Sequence, residues 1–300
     1  MPSPDTVAAL TSPEVLRGLT AGFAALAVGL VIVVVWRRKR DTPVPIVGLL
    51  LAAAAGGVLI AGQDPPDGLG FGLALLAFGG ALCQLVRLEL ALTAALAVPG
   101  AWLVAGAIEP LGSVWVSWLL FGFVVLGGAL VSDLDLHYAE RGYGPILLVV
   151  SLAGMFATLP DTEEILVVLG AALPLVLLAW PKAYAFLGAI GIFPTLGLLA
   201  WVIAVGARGR ESAVIGAVAC LGLLVIEPVV RRWRGATVLD RLPAGWSKTL
   251  VVVGAQAIVV LVAARVVGLR DNAATALVIA ILLSTATGYA LDRLGKQRSA

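Results

Sequence analysis

The feature that most constrains this chain is a succession of long apolar runs with almost no polar sequence between them. A helix rises about 1.5 Å per residue, so about 20 apolar residues cross the roughly 30 Å hydrocarbon core of a bilayer. With 61% hydrophobic and only 13% charged residues, the chain lacks the polar surface that a water-soluble domain needs. Eleven runs approach the required length: 18–36, 44–62, 68–86, 90–108, 113–131, 144–160, 164–180, 183–207, 213–230, 249–268 and 273–291. The sequence therefore predicts an all-α, polytopic integral membrane helix bundle of about 11 transmembrane helices, with residues 1–300 as a single transmembrane domain.

At two places no obvious loop separates neighbouring runs, and the boundary is inferred because the combined run is too long for one membrane-spanning helix. Residues 68–108 as one helix would be roughly 60 Å long, twice the thickness of the hydrocarbon core. Arg87 to Glu89 is the charged point at which this stretch can turn. The same argument divides 164–207 at Pro181 and Lys182, because proline ends helices and a charge favours the membrane interface.

The distribution of Lys and Arg predicts the orientation of the bundle. With the N-terminus outside and the C-terminus in the cytoplasm, 15 of the 20 basic residues fall on the cytoplasmic side, as is typical of short loops. The outer loops then carry mainly acids, among them Asp161, Glu163 and Glu164. A composition rich in Ala, Val, Leu and Gly, with Arg preferred over Lys, is typical of GC-rich bacterial genomes. We therefore expect a multi-pass protein of a bacterial plasma membrane.

Weak self-similarity recurs along the chain at an interval of about one hundred residues. It suggests parallel four-helix repeats over 18–108, 113–207 and 213–291, the last of them incomplete. Pro99 and Pro194 would then correspond, and interrupted helices in paired repeats often form transporter binding sites. Both prolines are therefore candidate substrate-binding positions. Two alternatives stay open: the similarity arises by chance from the composition, and the prolines are ordinary features of packed membrane helices.

Asp133, Asp135 and His137, the chain's single histidine, form the densest group of chemically capable side chains. We expect them in a cytoplasmic loop, and a helical turn there would put Asp133 and His137 on one face. Two carboxylates and an imidazole can bind a divalent cation or act as an acid–base pair, which makes all three candidate catalytic residues. The alternative is a solvated charged loop. The chain lacks a Gly-rich phosphate loop, a His-Glu-x-x-His motif and a paired-cysteine motif, so we predict no resident metal or cofactor.

Glu227 is an acid inside an apolar run, where ionisable groups are costly and often functional. It is a further candidate substrate-binding residue. Arg231 follows four residues later, and this spacing equally favours a structural ion pair. Gln84, Gln256, Ser151 and the stretch from Ser284 to Thr287 are expected to form hydrogen bonds between helices.

Three functional hypotheses follow from these features. The span number, the repeat and the prolines favour a transporter or flippase of a small amphipathic or lipid-linked substrate. A membrane enzyme at the cytoplasmic face would use Asp133, Asp135 and His137 together with residues of the loop from Arg231 to Lys248. A non-enzymatic scaffold or accessory subunit would pack against other membrane-protein subunits. Membrane lipids are partners in all three, and the small net charge of +2 gives no reason to expect nucleic acid.

Overall fold

The protein is almost entirely helical in a computed structural model that describes residues 12–62, 66–86, 89–111, 113–235, 238–241, 246–267 and 272–296. Short strands β1 (Val44–Pro45) and β2 (Ala185–Phe186) accompany the helices. The helices are α1 (Pro13–Arg37), α2 (Val47–Gly62), α3 (Leu69–Val86), α4 (Leu90–Ile108), α5 (Val114–His137), α6 (Tyr143–Thr158), α7 (Glu163–Leu175), α8 (Ala189–Ala207), α9 (Glu211–Ala219), α10 (Gly222–Arg234), α11 (Val238–Arg241), α12 (Trp246–Val262) and α13 (Ala273–Lys296). α5 contains a π-helical turn, Phe123–Gly127, and a second π-helical turn, Ala263–Val267, directly follows α12.

Every apolar run of the sequence contains helix, and the predicted turns fall between helices. α3 ends at Val86 and α4 begins at Leu90, and the two helices pack against each other. Arg87 and Leu88, where the turn was predicted, lie outside the described residues. Within the described residues, six helices are long and apolar enough to cross a membrane, or seven if the bent pair α9 and α10 counts as one span. Three further apolar helices are shorter, including α2 and α6. The structure thus supports an α-helical bundle with long apolar spans, as a membrane protein requires.

Three predicted boundaries were wrong in detail. The run 213–230 is broken between α9 and α10, whose axes differ by 59°. The run 183–207 starts as β2 and a turn, and helix begins only at Ala189. The segment from Ser132 to His137, expected as a loop, continues α5 by more than a turn. Leu134 in this extension is fully buried, so packing against the bundle keeps it helical.

The ends of the helices lie in two groups at opposite ends of the bundle. At one end, which we call the basic end, α1, α3, α5 and α10 finish and α2, α4 and α8 begin around a common cleft. At the other, the acidic end, the turn before α7 meets the turn after α8, where Asp161 pairs with Arg208. From α1 to α8, successive helices therefore alternate in direction, whereas α9 and α10 follow each other as the two parts of one bent span.

β1 and β2 form a parallel pair that fixes the starts of α2 and α8 side by side at the basic end. Val44 lies opposite Ala185, and Pro45 opposite Phe186. Beyond the strands the two helices touch through glycine: a Cβ on Gly191 would lie 2.6 Å from the Cα of Gly48. α8 runs through the core of the bundle, packed against α2, α3, α4 and α5.

Candidate functional site

A cleft of about 940 Å³ opens at the basic end. Its walls come from the ends of α1, α3, α5 and α10 and from the starts of α4 and α8. The lining mixes charged and apolar side chains, among them Arg40, Gln84, Leu85, Leu90, Asp133, Leu136, His137, Glu140, Arg141, Phe186, Arg232 and Asp240. A volume of this size lies within the roughly 300–1,000 Å³ that ligand pockets occupy.

Asp133 faces α10 and pairs with its arginines. The Arg231 Nη2 atom lies 2.7 Å from the Asp133 Oδ2 atom, and the Arg232 Nε atom lies 3.7 Å from the same oxygen. Arg231 also approaches Glu227 one turn earlier, with 3.8 Å between Nε and Oε1. The ion pair predicted from the four-residue spacing of Glu227 and Arg231 is confirmed.

Asp135 points away from that cluster and into the core, where its residue is only 1% exposed. Its Oδ2 accepts a hydrogen bond of 2.8 Å from the Gly188 amide, directly before α8. Gly188 has φ of +73°, a conformation that favours glycine, and a Cβ there would clash with Pro45. The next amide, of Ala189, donates to the Gln84 Oε1 atom at 2.9 Å. Asp135 and Gln84 therefore satisfy the unpaired amides at the start of the central helix.

His137 lies at the mouth of the cleft, where its side chain is 41% exposed. Its Nε2 atom is 2.9 Å from the Oδ1 atom of Asp240 on α11. The Tyr138 hydroxyl lies 3.0 Å from that same Oδ1 atom and 2.8 Å from Oε1 of Glu227. Tyr138 and Glu227 are almost completely buried, so these four residues form a continuous polar chain from the cleft into the protein.

A second polar cluster surrounds the break between α9 and α10. The Gln256 Nε2 atom of α12 donates to the Cys220 carbonyl and to Ser151 Oγ, each at 2.8 Å. Its Oε1 atom accepts from the Leu223 amide at 2.9 Å. One buried glutamine therefore satisfies the backbone groups that the break exposes, which keeps a break within an apolar span stable. The interhelical hydrogen bonds predicted for Gln84, Gln256 and Ser151 are confirmed. The same prediction was wrong for Thr285 and Thr287, whose hydroxyls donate at 2.8 Å to carbonyls one turn earlier in their own helix.

The remaining candidate residues lie apart from the cleft. Pro99 is within α4 on an exposed face, whereas Pro194 is buried within α8. Neither lines the cleft. The structure thus brings Asp133, His137 and Glu227 together through their partners, and it separates Asp135, Pro99 and Pro194 from them.

Among the described residues, no three His, Cys, Asp or Glu side chains are placed to hold a metal ion. A scan of protein-family models finds no match to this chain, and no curated protein matches it at a significant level.

Sequence reasoning missed Tyr138 and Asp240, which connect the predicted residues. Tyr138 follows His137 directly and is the cap residue of α5. Asp240 lies in the polar segment between two apolar runs, where sequence gives no hint of its partner. The available signal was indirect: an enzyme hypothesis required the segment after Arg231 to approach His137, and the Asp240 contact provides that approach.

Proposed function

We propose that this chain is a transporter or flippase of a small amphipathic or lipid-linked substrate, with eleven spans in a bacterial plasma membrane. In this proposal the N-terminus is outside, the C-terminus is cytoplasmic, and the basic end faces the cytoplasm. The short helices α2, α6 and α7 cross the membrane within the bundle, where neighbouring helices cover their ends. Substrate enters at the cleft of the basic end.

The observation that carries the proposal is the mixed lining of that cleft. Three arginines and three acids supply charge, and four other side chains supply apolar surface in the same cavity. They are Arg40, Arg141, Arg232, Asp133, Glu140, Asp240, Leu85, Leu90, Leu136 and Phe186. A ligand with a polar head and an apolar body satisfies both kinds of wall at once. A polar ligand alone would leave the leucines in contact with water.

The broken span supports a transport function independently. Discontinuous helices form the substrate and ion sites of many transporters, because the ends of the half-helices direct backbone groups at the ligand. Here the break at Cys220 and Leu221 and the buried acid Glu227 lie on the same broken span.

The proposal is tested with purified protein in liposomes that contain fluorescent phosphatidylglycerol or a fluorescent polyprenyl phosphate. Movement of the probe between leaflets is followed by chemical quenching from outside. Leu136→Trp fills the cleft and is expected to reduce probe movement strongly. Leu126→Trp is the matched control, since Leu126 is on the same helix, 61% exposed and not part of the cleft lining. Equal movement in both variants, or none above protein-free vesicles with wild-type protein, contradicts the proposal.

An enzyme at the same face is the second candidate, and the contact between His137 and Asp240 favours it. A carboxylate that orients an imidazole at the mouth of a cleft is half of an acid–base site. The two functions differ in the fate of the probe lipid. Transport leaves the mass of the probe lipid unchanged. An enzyme converts the probe into a product of different mass, which mass spectrometry detects, and His137→Gln should not form that product.

A further inference from the structure

A chain of short polar contacts leads from the solvent-exposed His137 to the fully buried Glu227. The contacts run from His137 Nε2 to Asp240 Oδ1, from there to the Tyr138 hydroxyl, and on to Glu227 Oε1, at 2.9, 3.0 and 2.8 Å. The Asp240 side chain is 23% exposed and that of Glu227 is 0% exposed, so burial increases along the chain. Each group can both release and accept a proton.

The geometry at Tyr138 places one hydroxyl between two acids. The tyrosine hydroxyl has one hydrogen to donate, and two contacts, of 2.8 and 3.0 Å, meet at its oxygen. A proton on Asp240 Oδ1 or on Glu227 Oε1 supplies a hydrogen for the second contact. When the two acids share one proton in this way, it passes from Asp240 to the Tyr138 oxygen while the tyrosine's own proton passes to Glu227, so that the protonated acid changes.

The charges around Glu227 allow it to exist with and without this proton. Arg231, one turn along α10, lies 3.8 Å from the shared Oε1 atom and stabilises the ionised form. Arg231 is itself held by Asp133, which also attracts Arg232, so its charge is only partly directed at Glu227. α10 also packs against α5, which carries Asp133, Asp135 and His137, and against α6, α12 and α13. The described ionisable side chains of these last three helices are Tyr143 on α6 and Tyr289 on α13.

We propose that His137, Asp240 and Tyr138 conduct protons between the basic-end cleft and Glu227, which is the proton-binding site of the transporter. The purpose of this relay rests on the proposed transport function. In the inward step, the proton on Asp240 Oδ1 moves to the Tyr138 oxygen while the tyrosine's own proton moves to Glu227 Oε1. The proton on His137 Nε2 then moves to Asp240 Oδ1, and the imidazole becomes neutral. Tyr138 is neutral before and after, and one proton has passed from the cleft to Glu227.

The relay is tested on the full chain in detergent by infrared difference spectroscopy after a rapid drop in pH. The C=O stretching band of a protonated buried carboxyl reports on Glu227. Glu227→Gln is expected to remove the band that appears in the wild type. Glu164→Gln is the matched control, because Glu164 is also buried but lies at the start of α7, at the acidic end. That variant should keep the band.

Tyr138→Phe separates conduction from structure, since it keeps the ring and Glu227 but removes the shared hydroxyl. The band should still appear, but the rate at which it appears after the drop in pH should fall on the order of 10²-fold, which is what a positioned acid–base group contributes. Asp240→Asn should slow it similarly. A Tyr138 that serves only in packing would leave the rate unchanged, and a wild-type rate in Tyr138→Phe overturns the relay. So does a wild-type band in Glu227→Gln.

Two outcomes distinguish the relay from the transport function on which it rests. If Glu227→Gln does not fold, Tyr138→Phe and Asp240→Asn decide the question, because both retain Glu227. A normal proton response in protein that moves no lipid probe overturns the transport function alone. Probe movement without any response from Glu227 overturns the relay alone.

Discussion

Asp161 and Arg208 connect two turns at the acidic end, the one before α7 and the one after α8. Arg208 Nε donates to Asp161 Oδ2 at 2.9 Å, and the Asp161 amide donates to the Gly206 carbonyl at 2.9 Å. Partial burial alone would raise the pKa of Asp161, but hydrogen bonds and the charge of Arg208 outweigh it and lower that pKa below its ordinary value. The ion pair is thus present at neutral pH.

This shift predicts a pH-dependent effect of Asp161→Asn. A carboxyl whose pKa is lower in the folded state stabilises the fold above its unfolded pKa, and the contribution is lost as pH falls through the folded pKa. The variant should have an apparent Tm a few degrees lower at pH 7, a small effect because the pair is exposed. The two proteins should converge as the pH falls below the ordinary Asp pKa of 3.8. Thermal unfolding of both proteins in detergent measures this, and a difference that persists or grows at low pH would contradict the assignment.

At the residue scale, the sequence grouped Asp133, Asp135 and His137 but did not predict that Asp133 and Asp135 contact different helices. Asp133 and Asp135 are two apart on α5, and residues at that spacing point to different faces of a helix. One therefore meets the arginines of α10 and the other caps α8. The two were grouped because a loop was expected there, and the helix that the structure shows instead separates them. Tyr138 could not be assigned at all, since its partners lie 89 and 102 residues away.

At the element scale, α1 and α7 show how helices approach in this bundle. Without a hydrophobic driving force between them, membrane helices associate through close packing of small residues. A Cβ on Gly18 would lie 2.3 Å from the Val167 carbonyl oxygen, and one on Gly22 would lie 2.6 Å from that of Ala171. Gly170 makes the reciprocal approach to α1. The two backbones are therefore in direct contact along one face.

Replacing Gly22 with leucine should disrupt this contact. The neighbouring atoms are backbone and cannot move aside, so we expect destabilisation of at least about 1–3 kcal/mol, the usual cost of overpacking. The matched control is Gly57→Leu on α2, because a Cβ at Gly57 meets nothing within 4 Å. The fraction that remains monodisperse on size exclusion after heating compares the two. Equal heat resistance of both variants would show that α1 and α7 do not depend on this contact.

The positions of the helices were predictable because run length and apolarity decide where a chain can enter hydrocarbon. The break between α9 and α10 was not predictable, since the residues around Cys220 are as apolar as any others. It is stabilised by Gln256 of α12, a contact between distant parts of the chain. The pairing of β1 with β2 was hidden for the same reason: it joins segments on either side of six helices.

At the scale of the whole molecule, the alternating helix directions make the number of membrane crossings a testable quantity. Glu140 lines the cleft of the basic end, and Glu163 begins α7 at the acidic end. Only α6 separates them among the helices. At 16 residues it is about 24 Å long, somewhat short of the hydrocarbon thickness of roughly 30 Å. Whether eleven spans or fewer cross the membrane therefore depends on helices of this kind.

Single cysteines at these two positions test the crossing directly. Cys83 and Cys220 are both buried, and replacing them with alanine gives a background without native thiols. In intact bacterial cells, a membrane-impermeant maleimide should label Glu163→Cys, while Glu140→Cys should react only after the membrane is opened. Both residues are exposed, so failure to react reflects the membrane and not the protein. Labelling of both in intact cells would place the two ends of α6 on one side and reduce the span count. Labelling of Glu140→Cys alone would keep the count and reverse the orientation, because the cleft and its arginines would then face outward.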